Sequence, residues 1–431
     1  MIFSHGNPYR GEHGLPDILY LSPDDFTVTI SRMNLNAVDH VAKWTILIYM
    51  AADCDLAAFM FDDLMEMKVV GSNEDVNICV FFDGPLLTDT FFARLCHGTS
   101  LEEDIIQRFT DVPSSNVGIL KEIILNTAVL FPAERRVLVL AGHGLGWRGA
   151  LRDDSTWKRF KERRAIVMPS GDSSVFFRQL DEQRQRALEE LKARLNPRDE
   201  HHGSAFDIIA MDACNMGNLE ALSFYSDHAR ILVASENQVP ASGYPYDRIL
   251  EELKRNPEQE CDAFARYLVN ELKRYYVDSI LLCSESDITQ VAFDSTGFPA
   301  LIAHAGELAR VLSEYVSTEG IATVKACSGA SLLPEEDTDY IDLRLFAKEL
   351  VQAGVSDAVK QKAMELVAFF DGSGFVVGSA TPGGDALPKG LSIYFPLPER
   401  FDKGYLDILS HVPEGIRLWA GFIGAYYGKR F

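Results

Sequence analysis

The chain has 431 residues, 47% of them hydrophobic and 24% charged, with a net charge of −22. That length points to two domains and that balance to an ordinary globular protein. The charge argues against nucleic acid or an anionic membrane as a partner. No apolar run approaches the ~20 residues that a membrane-crossing helix needs. The opening residues, Met1 to Pro8, lack the basic start and apolar core of a signal peptide, so a cytoplasmic location is expected. Seven cysteines are widely spaced with no CxxC pair, which argues against a disulfide framework and a zinc site; most should be buried thiols.

Residues 1–42, rich in Pro, Gly and scattered charge, read as an extension packed on the outside. Thr45–Met50 is continuously apolar, the mark of a strand buried on both faces. A helix through Met60, Leu64, Met65 and Met67 follows. Asp53 and Asp55 at the turn between them are read as helix caps, ahead of a catalytic or cation-binding role. Val76–Phe82 is a second strand, Asn116–Phe131 a helix by its Ile119, Ile123, Ile124, Ala128 spacing, and Val137–Leu140 a third strand. The third strand runs into Gly142-His143-Gly144. Ile208–Met211 is a fourth strand and runs into Asp212-Ala213-Cys214, with a helix through Leu219, Leu222 and Tyr225 next. Ile231–Ala234 is a fifth and leads through Ser235-Glu236 into the Pro/Gly-rich turn around Pro240, Ser242, Gly243 and Pro245. Strands alternating with helices imply an α/β fold with a mostly parallel sheet covered on both faces. Helices are expected near Tyr246–Lys254, Cys261–Tyr276, Pro299–Val316 and Asp342–Ala353, and strands near Thr289–Phe293 and Leu391–Phe395.

Between the third and fourth strands lies a segment of another character. Residues 148–206 hold 13 Lys+Arg against 10 Asp+Glu in an otherwise acidic chain, with a basic focus at Lys158, Arg159, Lys161, Arg163 and Arg164. On charge alone it is a solvated insertion, with an exposed helix over Asp181–Leu195.

A cysteine and a histidine at the ends of two buried strands are the parts of a thiolate–imidazole nucleophile. The separation of 71 positions from His143 to Cys214 is no obstacle if their strands are neighbours. The glycines beside His143 let the backbone approach a ligand, and the Gly144 and Cys214 amides are suited to hold an oxyanion. The competing reading is a core thiol and a histidine locked at a turn. His97, His201, His202, His304 and His411 lack such a context. The acidic run Glu335-Glu336-Asp337-Thr338-Asp339 reads as a solvated loop rather than a calcium site.

Trp44–Asp53, Gly142–Trp147, Met211–Met216, Ala234-Ser235-Glu236 and Gly390–Pro396, in that order, resemble the clostripain family of cysteine peptidases, relatives of caspases, gingipains and legumains. The resemblance implies a caspase-like α/β/α sandwich over 43–278, carrying the charged insertion, with a C-terminal accessory region over 279–431. It implies a cysteine endopeptidase in which Cys214 forms the acyl-enzyme and His143 protonates the leaving amine, with no obligatory third member. Peptides or proteins are then the substrates, and no cofactor is required, although calcium belongs to the resemblance. Asp212 is implied to shape a pocket for a basic side chain, and cleavage after Arg or Lys follows. The basic cluster at Lys158–Arg164 suits activation by self-cleavage. Two departures stand out. Relatives are familiar as secreted proteins, and they often carry a further acid where this chain has Ser242. Arg/Lys preference then requires Asp212, Glu236 or Asp247 to reach the pocket, since a buried guanidinium without a partner is costly. The rivals are a catalytically inactive caspase-like binding module and a non-proteolytic α/β hydrolase or ligand-binding protein using the same crevice.

Overall fold

Strand β1 (Ala42–Ala51) lies in the middle of a nine-stranded sheet and explains its own composition. Alternate residues Leu47, Tyr49 and Ala51 enter one apolar layer, while Trp44, Ile46, Ile48 and Met50 enter the other. With both faces covered, the buried part of the strand is almost wholly apolar, and its one small polar residue, Thr45, donates to Phe131 O at 2.7 Å. The computed structural model describes residues 40–86, 88–109, 112, 114, 117–151, 205–278, 289–318, 320–333, 339–380 and 390–428. The extension before residue 40, the Lys158–Arg164 cluster and the helix expected over Asp181–Leu195 lie outside the described residues.

The other strands are β2 (Val76–Asp83), β3 (Thr90–Arg94), β4 (Ile105–Phe109), β5 (Ala133–Ala141), β6 (Phe206–Asp212), β7 (Ala229–Ser235), β8 (Gln290–Asp294), β9 (Tyr340–Asp342), β10 (Val376–Ser379) and β11 (Ser392–Tyr394). The sheet order is β10-β8-β7-β6-β5-β1-β2-β3-β4, with β9 and β11 forming a separate pair. The five central strands, β7 to β2, run parallel, and both edges turn antiparallel. β3 and β4 were not expected from sequence; each is only five residues long, and β3 is buried on both faces, so neither shows the sustained alternation that marks a strand.

Helices cover both faces, completing an α/β/α sandwich. On one side lie α1 (Ala57–Val70), α4 (Tyr246–Arg255) and α5 (Cys261–Asp278), packed through Met60, Leu64, Met67, Ile249, Leu253 and Phe264. On the other lie α2 (Val117–Leu130), α3 (Leu219–Tyr225), α6 (Phe298–Thr318), α7 (Ile321–Ala330), α8 (Leu343–Gln352), α9 (Asp357–Gly372) and α10 (Glu414–Tyr426). The boundary expected near 278 is not one in the sheet. β8 pairs with β7 and β10 with β8, so the C-terminal region extends the catalytic sheet rather than sitting beside it. A sequence pattern shows that a strand exists but not which edge it joins.

The direction of strand succession reverses between β1 and β5, since the chain goes from β1 outward to β4 and returns to β5 on β1's other side. Ligand crevices of open parallel sheets open at such a point, beyond the carboxyl ends of the strands. Register brings these ends level: Met50 pairs with Ala141, and Ala141 with Asp212.

Candidate active site

Beyond β5 the chain turns through Gly142 and presents His143. The Gly142 N–H donates to Asp212 O at 3.1 Å, tying the end of β5 to that of β6. Gly144 has to be glycine because of its neighbour: a Cβ there would lie 2.0 Å from the Cys214 carbonyl oxygen and 3.0 Å from the Cys214 nitrogen. The histidine and cysteine turns therefore touch main chain to main chain. After Cys214, Asn215 adopts φ +59°, a left-handed conformation that Asn tolerates better than most residues. It turns the chain sharply into α3 while its N–H donates to Asn237 O at 3.0 Å. A strand ending in such a turn presents the side chain at its tip to the crevice, and Cys214 lines it. His143, Gly144, Cys214, Asp212, Gly243 and Asp63 all line one cleft of about 680 Å³.

His143 Nε2 meets Asp55 Oδ1 at 2.5 Å. This corrects the expectation for Asp53 and Asp55: α1 begins after Leu56 with no side-chain cap. The turn after β1 reaches toward β5 instead, and Asp55 holds His143 through Nε2, one of its two ring nitrogens. Cys214 Sγ lies 3.4 Å from the Val239 N–H that donates to it, and 3.7 Å from the Val239 carbonyl. The main chain of the turn after β7 therefore caps the sulfur, and a donated N–H favours the thiolate.

The floor of the cleft is acidic. Asp212 Oδ2 accepts from Tyr244 N–H at 3.1 Å and from the Tyr246 hydroxyl at 2.9 Å, yet burial pushes its carboxyl up to about 6. Facing it, Asp63 is only 5% exposed and has no hydrogen-bond or ion-pair partner among the described residues. Burial first, then the Asp212 charge, pushes Asp63 up to about 9. Gly243 sits between them: at φ +54°, a Cβ there would lie 2.7 Å from Asp212 Oδ2 and 3.1 Å from Asp63 Oδ2. A bare glycine thus keeps both carboxylates open to the cleft. The sequence reading missed Asp63. The signal was there, because it shares α1's buried stripe with Met60, Leu64 and Met67, an acid where an apolar residue was due.

Two acids proposed for the pocket from sequence lie elsewhere. Glu236 is fully buried, accepts the Gly390 N–H at 2.9 Å and lies beside Asp342; burial and the Asp342 charge raise its pKa. It anchors the C-terminal strands rather than a ligand. Asp247 opens α4 and accepts the Arg248 N–H at 2.7 Å, outside the cleft lining. Ser242 stands between the lining residues Ala241 and Gly243 without lining the cleft itself. Asp339, last of the acidic run weighed for calcium, pairs with Arg148 at 3.4 Å and Arg400 at 2.9 Å. Among the described residues none of the six cysteines forms a disulfide.

A sequence profile of the clostripain family matches residues 48–384 of this chain. The chain belongs to the clostripain family. That makes it a cysteine-type peptidase, as the resemblance implied. Among solved structures, this clostripain-family chain is similar to a secreted C11 cysteine protease from Bacteroides thetaiotaomicron in complex with an irreversible peptide inhibitor. Identity is 18% and the TM-score 0.59, over 88% of this chain and 99% of that one. It is also similar to an inactive zymogen C11 protease from Parabacteroides distasonis, at 18% identity and TM-score 0.55, over 86% and 99% of the two chains. At that identity the likeness bears on the fold. No curated protein matches the chain.

Proposed function

We propose that this chain is an endopeptidase that cuts after Arg or Lys, with Cys214 as nucleophile, His143 as acid–base partner and Asp55 as the group that orients His143. The thiolate attacks the scissile carbonyl, and the Gly144 and Cys214 amides, on backbones in contact, receive the developing oxyanion. The His143 imidazolium gives its proton to the leaving amine. It then takes one from the water that hydrolyses the acyl-enzyme. Side chains of this chain and water suffice for these steps.

The observation that carries the specificity is the buried, unpartnered Asp63 facing Asp212 in the same cleft as the dyad. A second acid from α1 supplies the charge that Ser242 does not. Two carboxylates burdened by burial, and Asp63 also by the Asp212 charge, are relieved by one guanidinium or ammonium. We propose further that the segment between β5 and β6 is a processing loop, cut after a residue of the Lys158–Arg164 cluster; the zymogen described for the Parabacteroides protein is in keeping with this.

A peptide panel varied at the residue before the scissile bond tests the reading. Arg and Lys should exceed neutral residues by at least tenfold in kcat/KM, iodoacetamide at neutral pH should label Cys214 fastest, and Cys214→Ala should be inactive. Equal labelling of all cysteines, or a flat panel, defeats it.

A further inference from the structure

Cys54 has no part in the chemistry above, yet its sulfur, an Asp55 carboxylate oxygen and a His143 ring nitrogen all lie within 4.8 Å of one another. We propose that Cys54, Asp55 and His143 form a binding site for zinc or a similarly soft divalent cation, and that filling it reversibly silences the peptidase.

The donor set argues for the class of metal. Thiolate, imidazole and carboxylate together suit zinc, and cobalt as its spectroscopic substitute; calcium and magnesium take oxygen ligands. A tetrahedral zinc with bonds of about 2.0–2.3 Å holds its donors roughly 3.5 Å apart, so the three groups need shift by only about an ångström. The Cys54 thiol, buried at 8% exposure, now donates weakly to Ala51 O at 3.4 Å, a contact that a metal–sulfur bond readily replaces. The ligands come from two turns held by adjacent paired strands, β1 and β5, so the site is largely assembled before metal arrives. Three protein ligands leave a fourth position for water.

On binding, the metal takes the place of the proton between His143 Nε2 and Asp55, and that proton and the Cys54 thiol proton both pass to solvent. His143 then keeps its remaining proton on Nδ1 and no longer becomes an imidazolium. It can neither hold the Cys214 thiolate as an ion pair nor protonate the leaving amine. Metal binding itself is independent of the proposed peptidase mechanism; only the silencing rests on it.

The test separates the two. The Cys214→Ala chain, stripped of metal, is titrated with cobalt(II). One equivalent should bind with a thiolate-to-cobalt absorption band that zinc abolishes. Adding Cys54→Ser should remove the band and weaken binding at least ~tenfold, the lower end for disturbing even an outer partner of a metal site. Asp55→Asn should weaken binding while keeping the band, which covers the case in which Cys54→Ser does not fold. With Cys214 intact, zinc should inhibit and a chelator restore activity. Cys54→Ser should keep full activity in chelator and need at least ~tenfold more zinc for inhibition. Absence of cobalt binding, a band that survives Cys54→Ser, or equal zinc sensitivity of both chains overturns the proposal.

Discussion

Asp63→Asn should make the protein more stable and a poorer enzyme at once. Asp63 ionises near 3.8 when unfolded, whereas burial and the Asp212 charge raise it to about 9 when folded. Its contribution is therefore neutral below about 4 and turns increasingly unfavourable as pH rises from there toward 9, because only the unfolded chain gives up the proton easily. At pH 7 the gap of about three units amounts to roughly 4 kcal/mol, and at pH 5 to about 1.5. A neutral amide of the same shape avoids that cost. For a chain of this length an unfolding entropy near 2.1 cal/mol/K per residue converts it to about 4–5 °C in Tm at pH 7 and about 2 °C at pH 5. Removing one acid from a desolvated ion pair costs about 2–5 kcal/mol, so kcat/KM for Arg and Lys substrates should fall by about 30-fold or more, with neutral substrates little changed. Thermal scans at pH 5, 7 and 9 and the peptide panel measure both effects on one preparation. A lower Tm at every pH, or an unaltered preference for basic residues, refutes the reasoning.

The same carboxylates give wild type a pH signature: KM for basic substrates should fall as pH rises from about 6 to about 9, as Asp212 and then Asp63 ionise, while KM for neutral substrates stays level. Asp55→Asn should lower kcat with little change in KM. A buried orienting aspartate is worth about 10⁴ in kcat, but Asp55 is 76% exposed and water replaces it in part, so a loss of about tenfold is expected. Gly144→Ala should lose most activity and a few kcal/mol of stability, since a Cβ 2.0 Å from Cys214 O forces the two turns apart; near-normal kinetics would show that these turns are not closely coupled. Incubated wild type should yield two fragments from a cut near Lys158–Arg164, while Cys214→Ala stays whole, and a fully active intact wild type would remove any need for processing.

The parts of the site that end buried strands were legible because burial writes itself into sequence. The apolar runs of β1, β5 and β6 stop at Ala51, Ala141 and Asp212, and His143 and Cys214, just beyond two of them, both line the cleft. Side-chain direction was not legible. Asp55 looked like a cap because a turn before a helix is where caps sit, and its actual partner arrives from 88 residues away. Glu236 follows β7 as Cys214 follows β6, but it points beneath the crevice to Gly390. Asp63 passed as part of an ordinary helix because local pattern does not reveal that its face looks into a cleft.

The antiparallel pairing of β8 with β7 bears on how this protein can be shortened. Through it the C-terminal region shields the flank of a strand two places from the histidine strand, and Gly217 main chain extends the junction by accepting the Ser392 N–H at 2.9 Å. A fragment ending near 278 would keep every residue of the proposed dyad and pocket. It would also expose the bare amides and carbonyls of β7 along an apolar strand, an invitation to sheet-to-sheet stacking between molecules. Such a fragment is a template for aggregation rather than a minimal peptidase.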